Sequence, residues 1–236
     1  MHDREGGLRA RLVAVGVELV AEEGVRALTL REIARRAGVS HGAPRRHFPT
    51  HRELLSAIAR EGFALVAAEA ASAVADDGRT PRARVAAVCG SYIRFARENR
   101  GMYELMLRHD LLESGYLGLR SISLPLFDLL TGLITEAGPR PGAAAPRVVA
   151  GALWANLHGI VQLWEWGSLE LATGEGDIDT LLAAALDAHL GPEAAEAPGA
   201  PEAEAPGAPA GGTDRAAPEQ AGPAGPGRAA SEREER

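Results

Sequence analysis

Leu8, Leu12, Val15, Gly16, Leu19 and Val20 recur at steps of three and four, laying an apolar stripe along a helix of about 17 residues that ends at Gly24. Thr29-Leu30-Arg31-Glu32 then reads as a capping box. In such a box the Thr29 hydroxyl serves the Glu32 amide, the Glu32 side chain reaches back, and Leu28 and Ile33 form a hydrophobic staple. That second helix is short and closes at Gly38. Ser40 is placed to cap a third helix, because Pro44 is tolerated only in a first turn, and Pro49 stops it. Thr50-His51-Arg52-Glu53 is a second capping box, with Pro49 and Leu54 as its staple, opening a long helix through Leu55, Ile58, Phe63 and Val66. Further helices are predicted over 80–99, 101–110, 118–137, 144–170 and 177–190, with breaks at Gly138-Pro139 and at Gly174 to Gly176. No stretch alternates as a strand would, so the expected fold class is all-α.

Composition narrows the chemistry. Apolar residues make up 46% of the 236 and aromatic ones only 4%, a balance that suits packed helices. No apolar run reaches the roughly 18 residues of a membrane span, and the start MHDREGGLRARL lacks a secretory signal's apolar core, so a cytoplasmic address and no membrane partner are expected. Cys89 is the single cysteine, which excludes an internal disulfide framework and paired-cysteine zinc sites. All 25 basic residues are Arg. Walker-type phosphate loops, Schiff-base enzymes and Ser-Lys pairs therefore lack their central residue. Ser91 beside Gly90 is not in a GxSxG elbow, and no catalytic residue or cofactor is expected. His47 and His51 have the spacing of two metal ligands on a helix, but Pro49 breaks the helix between them and the HExxH glutamate is missing, so no metal is expected either.

The net charge of −7 is unevenly divided. Residues 1–60 hold 11 Arg against 7 acids, 61–191 hold 10 against 16, and 192–236 hold 4 against 9. Overall acidity argues against nucleic acid, yet a binding face needs only local positive potential, and the first quarter has it. From Pro192 onward, 45 residues contain 8 Pro, 7 Gly and 14 Ala but no Leu, Ile, Val or aromatic residue. Such a segment cannot repay the entropy of ordering and is expected to be a disordered acidic tail, dispensable for stability. Folded structure should end near Leu190.

Two short helices joined by about three residues constitute a helix-turn-helix, whose second helix fits the major groove of DNA. The candidate reading helix, HGAPRRHF over 41–48, offers His41, Arg45, Arg46 and His47 to base edges or phosphates. Gly42 and Ala43 would allow close approach of its N-terminus to a phosphate, with Thr29, Arg31, Ser40 and His51 flanking it. A solvated amphipathic hairpin would have the same outline.

The arrangement LTLREIARRAGVSHGAPRRHFPTHRELL over 28–55, preceded by the amphipathic first helix, resembles the TetR-type transcriptional regulators. The resemblance implies a helix-turn-helix DNA-binding head over 1–50, a helical-bundle ligand-binding and dimerisation body over 51–190, and repression relieved by a small molecule. Arg45 stands where the family generally has a phosphate-contacting Tyr, and His51 where a Lys usually begins the fourth helix. Arg45 keeps a permanent charge, while that of His51 is conditional near neutral pH. In the body, Trp154-Ala-Asn-Leu-His158-Gly159 is similar to the Trp then His-Gly pattern of one subgroup of TetR ligand domains.

Tyr92, Phe95, Met102, Tyr103, Met106, Phe127, Trp154 and His158 supply most of the body's large or polarizable groups, the lining expected of a pocket for an apolar or aromatic effector. Plain core packing is the competing reading for each, and His158 could bond a core carbonyl. Val148, Val149, Leu153, Leu157, Ile160, Val161 and Leu163, with Ile178, Leu181, Leu182 and Leu186, carry more apolar surface than a small body should hide. They predict a two-fold four-helix dimer interface and hence a palindromic operator, with one of Trp164 and Trp166 facing the partner. A ligand-responsive repressor is the expected function; a protein of the same fold controlled by a protein partner and a helical enzyme are the alternatives.

Overall fold

Thr29 and Thr50 begin helices where the capping signals place them. Each hydroxyl accepts a hydrogen bond from the amide three residues on, Glu32 at 3.1 Å and Glu53 at 3.2 Å. The reciprocal half of each box is absent. The Glu32 carboxylate turns instead to Arg35 and Arg36, because a charge-assisted bond to a guanidinium is stronger than one to a neutral amide. The Glu53 carboxylate accepts from the Thr50 hydroxyl.

The computed structural model describes residues 2–75, 78–108, 110–111, 118–138 and 142–192, with side chains from Gly7 onward. Among the described residues there are helices and no strand. The order is α1 (His2–Glu23), a 3-10 turn (Val25–Ala27), α2 (Leu30–Arg36), α3 (Pro44–His47), α4 (His51–Val74), α5 (Pro81–Glu98), α6 (Arg100–Met106), α7 (Arg120–Ala137), α8 (Pro146–Glu165), α9 (Ser168–Thr173) and α10 (Ile178–Leu190). No described helix is long and apolar enough to cross a membrane. The expected tail, beyond Pro192, lies outside the described residues.

Several elements differ from their expected bounds, among them α6, expected over 101–110, which ends at Met106. α1 begins at His2, further toward the N-terminus than its apolar stripe. α3 is a single turn starting at Pro44 with Ala43 as its N-cap; Ser40 does not cap it but accepts the Ala43 amide through its backbone carbonyl, closing a tight turn over 40–43. Proline at the first helical position fixes where α3 begins. The helix expected over 144–170 divides at Gly167, whose φ of +69° is open to glycine and strained for other residues.

The head is α1 to α3 packed on the first turns of α4. Leu12, Leu19, Leu28, Ile33, Phe48, Leu54 and Ile58 are fully buried between them. Gly16 lets α1 cross α4: a Cβ there would lie 2.3 Å from the Ile58 Cδ1. α2 is clasped to the end of α1 by Arg36, whose guanidinium meets Glu22 at 2.5 Å, Glu23, and Glu32 at 3.1 Å.

The body wraps α4, α5, α7, α8 and α10 into one core, with α6 wedged between α1, α4 and α5. α6 couples the head to the body at close range. A Cβ on Gly101 would sit 2.4 Å from the Val20 carbonyl oxygen, a backbone atom that cannot swing away. Gly101→Ala is therefore expected to cost about 1–3 kcal/mol by forcing the helices apart. An unchanged denaturation midpoint would show that α1 and α6 separate freely.

The dimer surface expected from composition is largely internal. Val149, Leu153, Leu157 and Val161 on α8, and Ile178, Leu182 and Leu186 on α10, are buried within the single chain. They fill the contact of these two helices with each other and with α5 and α7, so seven of the eleven side chains need no partner subunit. Val148 and Leu163 remain exposed on α8.

Candidate functional site

Arg31, Arg45 and Arg46 are exposed on the outer face of the head, and among the described residues none of them pairs with an acid. The ion pairs fall one turn further along α2. There Glu32 and the end of α1 neutralise Arg35 and Arg36, whose role is structural. Thr29, Ser40, His41 and Gly42 are exposed beside the free arginines, and Ala43 and His47 are half-buried. Phe48, 1% exposed, anchors α3 into the head, with Arg9 of α1 over its ring at 4.9 Å. His51 is exposed, but its Nε2 is already bonded to the Leu28 carbonyl. A carbonyl only accepts, so the ring donates there, and the bond straps the start of α4 to the entry of α2.

The Arg35 and Arg36 guanidiniums hold the Glu32 carboxyl at about 2, below its ordinary 4.5. The folded value lies below the unfolded one, so this stabilisation is present above about pH 4.5 and lost as pH falls toward 2. Acid titration should loosen α2 in that window, and Glu32→Gln should flatten the head's stability over it. Equal acid sensitivity in the variant would remove Glu32 from the account.

At the far end of α4 lies a cavity of about 530 Å3 between α4, α5, α6, α7 and α8. Its wall is mostly apolar: Phe63, Val66 and Ala70 from α4, Val88 and Cys89 from α5, Met106 from α6, Leu124, Phe127 and Leu130 from α7. Burial pushes the Cys89 thiol up to about 12, so it is an inert wall group rather than a nucleophile. A second hollow of about 920 Å3, open and lined by charged groups such as Glu69, Arg94 and Arg97, is a polar cleft between α4, α5 and the start of α10.

Of the eight side chains expected to form a pocket, Tyr92, Tyr103, Met106, Phe127 and Trp154 line this cavity. Phe95 and Met102 do not: both are buried in the core, Met102 against Gly62 of α4. His158 stands behind the wall. Its Nδ1 is 2.7 Å from the Tyr103 hydroxyl, which is 2.9 Å from the Tyr92 hydroxyl, which accepts the Trp154 indole N–H at 3.2 Å. Tyr92 and Tyr103 also meet edge to face at 5.7 Å between centroids. Desolvation lowers the His158 imidazole below its usual range and raises both phenols above theirs, so all four groups are neutral. The indole can only donate, so the Tyr92 oxygen accepts from Trp154; either phenol can be the donor between Tyr92 and Tyr103, and His158 Nδ1 accepts or donates according to its tautomer. His158 thus bonds a side chain, not a backbone carbonyl.

Arg120, Ser123 and Arg147 also line the cavity, and sequence reasoning did not single them out. Nothing in their spacing marks them, since Arg120 and Arg147 come from the starts of different helices.

Comparison with known proteins fits this geometry. Residues 12–58 match the family described as bacterial regulatory proteins, tetR family, and residues 85–189 match the tetracyclin repressor-like C-terminal domain. No curated protein matches the chain. Among solved structures, a protein of unknown function from Rhodococcus sp. RHA1 is 31% identical, with 77% of this chain and 92% of that one covered, at a TM-score of 0.65. A candidate TetR-family transcriptional regulator from Rhodococcus sp. is 19% identical over 78% of this chain and 99% of its own, at a TM-score of 0.61. BioQ, solved with its natural double-stranded DNA operator, is 21% identical over 77% and 98%, at a TM-score of 0.53, a likeness of fold. With head and body each matched in chain order, the chain belongs to the TetR family of bacterial regulatory proteins.

Proposed function

We propose that the chain is a cytoplasmic, dimeric transcriptional repressor that leaves a palindromic operator when a small apolar molecule enters the body cavity. One observation carries this reading. The single uninterrupted helix α4 begins just after α3, which carries Arg45 and Arg46, and bears the cavity wall, through Phe63, Val66 and Ala70, along its second half. A ligand that favours a tilted α4 lowers operator affinity by the factor by which the operator lowers ligand affinity.

Arg46, with His41 and His47, is assigned to base edges, and Arg45, with Arg31, Thr29 and Ser40, to phosphates, Gly42 and Ala43 allowing the backbone to approach. His51 acts as a strut, since its Nε2 is committed to Leu28. Tyr92, Tyr103, Met106, Phe127 and Trp154 are assigned to the effector, with His158 orienting the two phenols. The Trp154 then His158-Gly159 pattern marks the subgroup of ligand domain. Val148, Leu163, Trp166 and Leu171, the last 89% exposed, are large apolar side chains left for a partner subunit at and near α8.

Light scattering at micromolar concentration should give a dimer. Footprinting upstream of the chain's own and adjacent genes should reveal a protected inverted repeat, and adding the effector should erase it. A monomer, or a footprint without two-fold symmetry, would contradict the reading.

A further inference from the structure

The polar groups in the cavity wall are occupied with one another. The indole, the two phenols and the His158 ring are hydrogen-bonded in a row, and the Ser91 hydroxyl donates to the Val88 carbonyl. A ligand's body therefore meets an apolar chamber. The charged groups that could meet a head group are at the cavity's solvent-facing edge.

Arg120 and Ser123 lie three apart on α7, on one face, and both line the cavity. Arg120 is exposed and makes no ion pair among the described residues. Arg147, from the first turn of α8, also lines the cavity; its guanidinium sits over the Phe127 ring at 5.1 Å and pairs with Asp128 at 2.6 Å. Among the described residues, no acidic residue lines the cavity. Two arginines against one aspartate leave one positive charge beside an apolar chamber, which matches a single negative charge on an apolar body.

We propose that the cavity takes an amphipathic monoanion, an apolar chain or ring system carrying one carboxylate, with the body in the chamber and the carboxylate held by Arg120 and Arg147. This rests on the cavity being the effector site. The arginine fork suits a carboxylate because it gives paired, charge-assisted N–H bonds, whereas an alcohol of equal size offers one neutral acceptor.

The test is calorimetric titration of the full chain with matched probes: decanoate against decan-1-ol, and 4-phenylbutyrate against 4-phenylbutan-1-ol. Each acid should bind about ten-fold or more tightly than its alcohol, and Arg120→Gln and Arg147→Gln together should bring that ratio close to one. Gly151→Leu, which fills the chamber beside Phe127, should abolish binding of acid and alcohol alike. Equal affinity of acid and alcohol, a preference that survives loss of both arginines, binding that survives Gly151→Leu, or no binding by any probe would each overturn the proposal. An acid that binds as described but leaves operator affinity unchanged would instead overturn the effector role and leave the binding class standing.

Discussion

Replacing Arg45 and Arg46 together by alanine should weaken operator binding by on the order of 100-fold or more while the fold and the dimer persist. Both side chains are exposed and pair with no acid among the described residues, so their removal exposes no buried charge and opens no cavity. Their energy appears only when DNA is present. A bidentate base contact contributes about 1–3 kcal/mol and a charge-assisted contact to phosphate about as much, and 1.4 kcal/mol is ten-fold. The single variants should separate the roles. Arg46→Ala should lose affinity only on sites carrying the base it reads. Arg45→Ala should lose it on every sequence, with a shallower dependence on salt, because each lost phosphate contact releases fewer counterions. An unchanged salt slope in Arg45→Ala would remove it from the phosphate contacts.

Phe48→Ala should cost about 3–5 kcal/mol, concentrated in the head. α3 is one turn long and cannot hold its shape by backbone bonds alone. It is held by Pro44 and Phe48, both buried, and by Arg9 stacked over the Phe48 ring. Losing that ring detaches the reading turn. Operator binding should vanish, while amide exchange in α5, α7, α8 and α10 stays slow, since α3 packs mainly on α1. Uniform acceleration of exchange through the body would show that head and body unfold as one cooperative unit.

Local rules made the head legible. Threonine caps, the staples around them and the proline at α3 act over a few residues, so Thr29, Thr50 and Pro44 identify their helix starts directly. Competition between partners was not legible. Glu32 could reach back to an amide or forward to arginines, and the arginines won because they carry charge. His51 offered a charge to phosphate, and its bond to Leu28 depends on the chain folding back over 23 residues, which no local spacing encodes.

The body was legible in its elements and less so in its partners. Apolar stripes on α8 and α10 look alike whether they face a second subunit or their own chain, and packing on α5 and α7 decided for the latter at Leu153, Leu157 and Leu186. Large aromatic groups pointed to Tyr92, Tyr103, Phe127 and Trp154, yet Phe95 and Met102 share that chemistry and turn into the core. The order of hydrogen bonds from Trp154 to His158 joins α8, α5 and α6 and exists only in three dimensions.

The central claim is that the exposed arginines of α2 and α3 read DNA as a two-fold pair. Selection of the full chain on a random duplex library measures it most directly. The account predicts enrichment of an inverted repeat whose half-sites lie one helical turn apart, about 34–36 Å, or a whole number of turns apart, and no enrichment by the Arg45→Ala, Arg46→Ala double variant. Enrichment of no sequence by the parent chain, or the same inverted repeat recovered by the double variant, would contradict it.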